Sequence, residues 1–291
     1  MMNIIVGASG QVGSMVVENL LKDGAPVRGI VRSEEKRIAL LDKGAEAFVA
    51  DAHDREAMIR AFQDGRALFI ITPESGQSND ILAETKAILD NYRFAIRRSS
   101  VQKIVGISSM GAQFSENSGN LLMSFMLEQN FTDSEVEQIF IRPAYYFSNW
   151  MMGYDEAIRT GVLPTFFPPD LPIPMVAPAD VAALAAKLMP GGLGASKIYE
   201  LEGPRQYSAD EVAAAFAKIS GKEVKARQIP REEWEQVISG MGFTADGTRN
   251  FIQMTELVAS GQAGPQKQGT VWLQAETTLE DFLLQTLKPG K

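Results

Sequence analysis

Along its first 145 residues the chain alternates short, almost wholly apolar runs with longer stretches in which apolar residues return every three or four positions. The short runs are NIIV (3–6), PVRGIV (26–31), AEAFVA (45–50), ALFIIT (67–72), QKIVGIS (102–108) and VEQIFIR (136–142). Their length and β-branched content predict buried strands. Between the first two lies QVGSMVVENLLK, whose Val12, Val16, Val17, Leu20 and Leu21 share one face of a helix. Strand and helix in strict succession require parallel pairing with right-handed crossovers, so the pattern predicts an α/β fold with a doubly wound parallel Rossmann sheet.

From about residue 150 the texture changes. LPTFFPPDLPIPMVAP is too rich in proline for a helix or a central strand, and is expected to be a loop carrying the chain over the sheet edge. PADVAALAAKLM then reads as a helix with Asp180 in its first turn, and KIYELEG (197–203) as a strand that rejoins the parallel sheet. SADEVAAAFAKISG opens on a serine cap and closes on Gly221; a short strand, EVKARQI, and mostly helical segments follow. The chain therefore divides into a Rossmann domain of residues 1–150 and 177–203 and a smaller, discontinuous substrate or lid domain of residues 151–176 and 204–291.

GASGQVG lies between the first strand and the first helix. Gly7 permits the turn, Gly10 lets the backbone approach a pyrophosphate, and Gly13 lets the helix pack against the sheet, while the helix N-terminus offers N–H groups to phosphates. A turn of convenience accounts for one glycine but not for three at this spacing. The end of the second strand bears on which dinucleotide. An NAD-preferring site places Asp or Glu there for the ribose 2′-hydroxyl, whereas this chain has Arg32 and, through SEEK, Lys36. Two cations suit a 2′-phosphate, with Glu34 and Glu35 close enough to neutralise them, so NADP(H) stands ahead of NAD(H). Asp51, closing the third strand beside Ala52, has two readings: acceptor for the adenine amine, or cap for the helix DREAMIRAF. Thr72 and Pro73 line the crevice by their position at the end of the fourth strand.

Composition narrows the chemistry. The 291 residues include no cysteine and one histidine, His53, which leaves neither a thiolate nor a plausible metal set or catalytic triad. With 28 basic and 36 acidic residues the net charge is −8, and no basic block marks a nucleic-acid or anionic-membrane surface. The opening MMNIIVG has no basic leader region and its apolar run is too short to span a bilayer, so neither a leader nor an anchor is expected, and the cytoplasm is the expected compartment.

VRSEEK, KGAEAFVADAHD, LFIITP, ISSMGA, LLMSFMLEQ, FIRPAYYFSNW and APADVAA, in that order, resemble the NmrA-like family over nearly the whole chain. The G-x-x-G-x-x-G spacing is likewise similar to that of extended and atypical short-chain dehydrogenases/reductases. The resemblance implies an NAD(P)-binding protein: in some members a reductase of quinones or other small conjugated substrates, in others a redox sensor without turnover. It implies that Gly7, Ser9, Gly10, Gln11, Val12, Arg32 and Lys36 touch the cofactor, with Ser108 at the end of the fifth strand beside it. Met110, Gly111, Tyr145, Phe147 and Asn149 would face the substrate, Arg142 and Pro143 would open the crevice wall, and Glu128 would orient helix packing. The methionines of LLMSFM and NWMMG are assigned mainly to packing.

One departure from the wider superfamily matters most. Ordinary members use Tyr-x-x-x-Lys, with the tyrosine as acid and the lysine lowering its pKa. Here neither Tyr nor Lys occurs between Lys103 and Tyr145, and none of the six tyrosines is followed by Lys four residues on. Ser109 and Tyr145 remain as catalytic candidates, and reversible alcohol oxidation or sugar epimerisation by the usual mechanism is not expected. Two readings follow. One is an NADPH-dependent reductase delivering hydride to a small electron acceptor such as a quinone. The other is a non-catalytic NADP(H) sensor acting through a homodimer or a regulatory protein partner. An open pocket above the nicotinamide favours the first; one filled by Phe166, Phe167 or methionines favours the second.

Overall fold

The computed structural model describes residues 1–72, 76–191 and 193–287. Its first part runs β1 (Met2–Val6), α1 (Gln11–Lys22), β2 (Val27–Val31), α2 (Glu34–Asp42), β3 (Glu46–Val49), α3 (Arg55–Ala61), β4 (Gly65–Ile71), α4 (Ile81–Ile96), β5 (Lys103–Ile107), α5 (Leu121–Gln129) and β6 (Glu137–Pro143). The chain continues through β7 (Tyr145–Tyr146), a 3-10 segment (Phe147–Gly153), α6 (Tyr154–Thr160), β8 (Val162–Thr165), β9 (Ile173–Val176), α7 (Pro178–Leu188), β10 (Lys197–Glu202) and β11 (Gln206–Tyr207). It ends with α8 (Ala209–Ser220), β12 (Lys225–Gln228), a 3-10 turn (Arg231–Glu233), α9 (Trp234–Gly240), α10 (Ala245–Ala259), β13 (Val271–Gln274) and α11 (Leu279–Thr286).

Eight strands form one parallel sheet in the order β13-β10-β6-β5-β4-β1-β2-β3, the doubly wound arrangement the alternating pattern predicts. Successive strand residues point to opposite faces, so neighbours in sequence serve different cores. Ile5, Val105, Ile141 and Leu201 pack on one face against Val16, Val17 and Leu20 of α1 and Val181, Ala182 and Ala185 of α7. Ile4, Leu68, Ile104 and Phe140 pack on the other against Met58 of α3, Ile88 and Tyr92 of α4 and Leu127 of α5. Each Val, Leu, Ile, Phe or Met among them contributes roughly 1.5–3 kcal/mol on burial, which is why the strands need no polar alternation. A third cluster, with Phe147, Trp150, Leu163, Met175, Tyr207, Phe216 and Leu283, holds the smaller α/β unit together.

Strand 197–202 lies in the sheet beside β6, as expected, with Tyr199 opposite Ile141. Three expectations need correction. The proline-rich stretch is not all loop: it contains β8, paired with β12, and β9, paired with β7 and β11. Pro164 is tolerated because β8 has a partner on one side only, and Pro174 because its ladder with β11 is two residues long. The boundary at residue 150 falls late, since Phe147 and Trp150 already belong to the third cluster. The segment 204–291 is not wholly outside the large sheet, because β13 pairs parallel to β10 at its edge. VWLQ is apolar at three of its four positions, but it is only four residues long and largely exposed, as suits an edge strand.

Candidate functional site

The crevice at the carboxyl ends of the strands begins with the turn after β1. Gly7 has φ +69°, the left-handed conformation that glycine adopts without strain, and its carbonyl accepts the Gly10 N–H at 2.8 Å. A Cβ on Gly13 would overlap that same carbonyl, so the first turn of α1 lies directly against the loop only because residue 13 is glycine. Helices α2, α3 and α4 have side-chain caps from Ser33, Asp54 and Asp80, but α1, preceded by extended Gly10, has none. The N–H groups of its first turn face exposed Ser9, Gly10 and Gln11 without a side-chain acceptor, an arrangement suited to an anion. Val12 is half-buried against the core beneath. The Gln11 side chain accepts the Ser148 hydroxyl at 3.1 Å, tying this turn to the 3-10 segment of the smaller unit.

Pairing of β1 with β2 brings Arg32 beside this turn, and the Ala8 N–H donates to the Ile30 carbonyl at 3.2 Å. Arg32 and Lys36 are exposed, and neither forms an ion pair among the described residues. Glu34 does not neutralise them, because Arg37 donates to both of its oxygens at 2.8 Å, and this bonding holds Glu34 below the usual carboxylate range. On the next strand outward the cap question is settled: Asp54 caps α3 by accepting the Ala57 N–H, while Asp51 accepts the His53 N–H within the turn, both at 2.9 Å. Asn91 of α4, which the sequence reading missed, fixes that turn by donating to the carbonyls of Ala52 and His53. His53 is exposed and lies 3.2 Å from Glu84. Thr72, directly after β4, is half-buried, and Pro73 lies outside the described residues.

The other half of the crevice departs further from expectation. Ser108 is buried, and its hydroxyl donates to Glu128 at 2.6 Å. Arg142 does not open the crevice wall. It is buried, gripping both oxygens of Glu128 at 2.7 Å, donating to Gln266 at 2.9 Å and lying 3.7 Å from Glu200. Glu200, fully buried, accepts the N–H groups of Gln266 and Lys267 and the Thr270 hydroxyl. The available sequence signal was a glutamate inside the apolar strand KIYELEG, since a buried carboxylate there demands partners.

Phe147, expected on the substrate side, is fully buried with its ring 5.3 Å from Tyr207. Met110 is a core residue, and buried Gly111 packs against Leu121, where a Cβ would come within 2.6 Å. Tyr145 and Asn149 do lie together past the end of β6. Burial pushes the half-buried Tyr145 phenol up to about 12, and its hydrogen bond with Asn149 pulls the other way. Ser109 donates to the Met110 carbonyl at 3.0 Å. Helix α5, LLMSFMLEQ, carries neither tyrosine nor lysine; its buried polar groups are Ser124 and Glu128. The residues at β1 and β2 thus fit a dinucleotide phosphate, while the β5 end carries a buried ion network in place of a catalytic pair.

The NmrA-like family model matches residues 3–283. The chain belongs to the NmrA-like family. Among curated proteins it is similar to quinone oxidoreductase 2 of Escherichia coli, 26% identical over 258 residues that cover 88% of this chain and 87% of the relative. It is also similar to an NAD(P)H azoreductase of Xenophilus azovorans, 25% identical over 83% and 82% of the two chains. Among solved structures, the NADPH-dependent quinone oxidoreductase from Escherichia coli complexed with NADPH superposes with a TM-score of 0.82, at 24% identity, over 99% of this chain and 100% of that one. Among the described residues, no helix is long and apolar enough to cross a membrane.

Proposed function

We propose that this NmrA-like protein is an NADPH-dependent reductase that delivers hydride to a small activated acceptor such as a quinone. The observation that carries the reading is the state of the polar groups around the β5 end. The Ser108 hydroxyl is committed to Glu128 and that of Ser109 to a backbone carbonyl, and burial holds the Tyr145 phenol above its ordinary range. An acceptor reduced here must stabilise its own developing charge, as a quinone oxygen does, and take its proton from water.

The chain's own groups divide the remaining work. The Gly7–Gly13 turn and the uncapped N-terminus of α1 hold the pyrophosphate, and Arg32 with Lys36 holds the 2′-phosphate. Bound NADPH supplies the hydride, so that quinone, NADPH and one proton give hydroquinone and NADP⁺. Orientation of the acceptor against the nicotinamide is the protein's principal contribution to rate. The quinone and azo compounds named for the relatives are acceptors of this kind.

The test is NADPH oxidation against a panel of quinones, enals and imines. Turnover with quinones is expected. Tight NADPH binding with no turnover on any acceptor would overturn the reading in favour of a sensor, recognised by self-association or partner binding that differs between NADP⁺ and NADPH.

A further inference from the structure

Helix α10 (Ala245–Ala259) is pinned across the crevice. At its start the Thr244 N–H donates to the Gly76 carbonyl at 2.9 Å, the Thr244 hydroxyl donates to the Ser78 carbonyl at 2.6 Å, and Asp246 accepts the Ile81 N–H at 2.9 Å. Gly76 and Ser78 belong to the connection between β4 and α4, and Ile81 is the first residue of α4. One helical turn on, a Cβ at Gly119 would overlap the Asn250 carbonyl, and past the helix Ala263 lies 3.3 Å from the Cβ position of Gly111. The segment 243–263 therefore spans the connections that follow β4 and β5.

Aromatic rings follow the same path. Phe243, against Gly76, meets Phe251 at 5.6 Å; Phe251 meets Phe166 at 5.6 Å; and Phe166 meets Trp234 at 5.4 Å, all edge to face. Adjacent Phe167 meets Tyr145 at 5.6 Å, just past the end of β6. The rings form an arch with one foot at the β4 end and the other at the β6 end. Phe167 and Trp234 are buried within it, but Phe243, Phe251 and Phe166 each keep part of the ring uncovered.

We propose that Phe243, Phe251 and Phe166 form the acceptor platform, and that this arch selects flat conjugated acceptors by ring area. The inference rests on the reductase reading for its location above the nicotinamide. Partly uncovered rings fixed edge to face offer faces and edges for offset stacking, while the polar groups at the β5 end are engaged elsewhere and give an acceptor little else to hold. Selection by ring area follows because each added ring gains stacking contact and no polar penalty.

Phe251→Leu should lower kcat/KM for a two-ring naphthoquinone by about 10-fold, a change of 1.4 kcal/mol. Duroquinone, with one ring, should change less than about 3-fold, and the affinity for NADPH should not move. Binding of anthraquinone-2-sulfonate to the NADP⁺-loaded protein, where no reduction can occur, should weaken in parallel by calorimetry. Phe166→Leu removes a ring from the other side of the arch and keeps the test decisive if Phe251→Leu loosens α10. An equal loss for one-ring and multi-ring acceptors, or no loss in either variant, overturns the platform while leaving the reductase standing. Anthraquinone binding that weakens in the variants of a protein without turnover would instead keep the platform and overturn the reductase.

Discussion

Arg32 and Lys36 are available to a ligand because of a third cation. Arg37 engages the carboxylate of Glu34, the nearer to Arg32 of the two acidic residues that stand between Arg32 and Lys36, and leaves Glu35 as the other. A charge-assisted hydrogen bond contributes about 1.5–3 kcal/mol, so Arg32→Ala should weaken NADPH roughly 10- to 150-fold and NADH little, measured by calorimetry with both cofactors. Equal affinities in the unmodified protein would mean that Glu35 cancels the pair. Tyr145 gives a second residue-level expectation. Its phenol is raised to about 12 from 10, so it stays protonated in the folded chain after the unfolded chain has begun to ionise. The stability it contributes is full below pH 10 and is lost as pH rises towards 12, so Tyr145→Phe should flatten the alkaline limb of a stability–pH curve. The same substitution should cost less than roughly 100-fold in kcat/KM, because one neutral donor is worth about 1–3 kcal/mol. A collapse above 1,000-fold, roughly 4 kcal/mol, would mean that Tyr145 is an acid after all. Arg32 could be placed from the sequence because it directly follows a predicted strand. The commitment of Ser108 could not, because its partner Glu128 lies 20 residues on in helix α5 and is itself held by Arg142 from strand β6.

Among elements, the contact between α1 and the turn after β1 and the ion network under β6 bear most on the site. Gly13→Ala must push α1 away from the Gly7 carbonyl, an overpacking worth about 1–3 kcal/mol. The helix carries the N–H groups toward the phosphate, so the substitution should weaken NADPH at least about 10-fold as well as lower the melting temperature. A variant that melts early but binds normally would separate packing from phosphate recognition. Arg142→Leu leaves Glu128 and Glu200 buried without their guanidinium, a loss of about 3–5 kcal/mol to be read from denaturant unfolding. Elements with a strong period were legible in the sequence: the strands from β1 to β6 stand within a few residues of their apolar runs, and the three glycines marked the tight turn from β1 into α1. Strands β8 and β9 were hidden because two- and four-residue ladders need so few N–H donors that proline does not forbid them.

At the scale of the molecule, the large sheet depends on the far end of the chain. A cut after residue 203, where the Rossmann domain read from the sequence (1–150 and 177–203) ends, would leave 1–203 with all of that domain, and such a fragment would be expected to fold and bind NADPH. The structure argues otherwise on two counts. The first is the sheet edge: without β13, the ladder from Tyr199↔Val271 to Glu202↔Gln274 is lost and β10 becomes an open edge. The second is electrostatic. Glu200 is fully buried and takes three hydrogen bonds from Gln266, Lys267 and Thr270, all beyond the cut, and Arg142 at 3.7 Å is a distant substitute. An under-bonded buried carboxylate costs several kcal/mol, comparable to the 5–15 kcal/mol that holds a whole domain folded. Fragment 1–203 should therefore show no cooperative thermal transition and no NADPH binding by calorimetry. If it is limited chiefly by the charge, Glu200→Gln in the same fragment should restore a measurable transition. If fragment 1–203 melts cooperatively and binds NADPH as the full chain does, the C-terminal third is an appendage, and the network around Arg142 is not what secures the sheet.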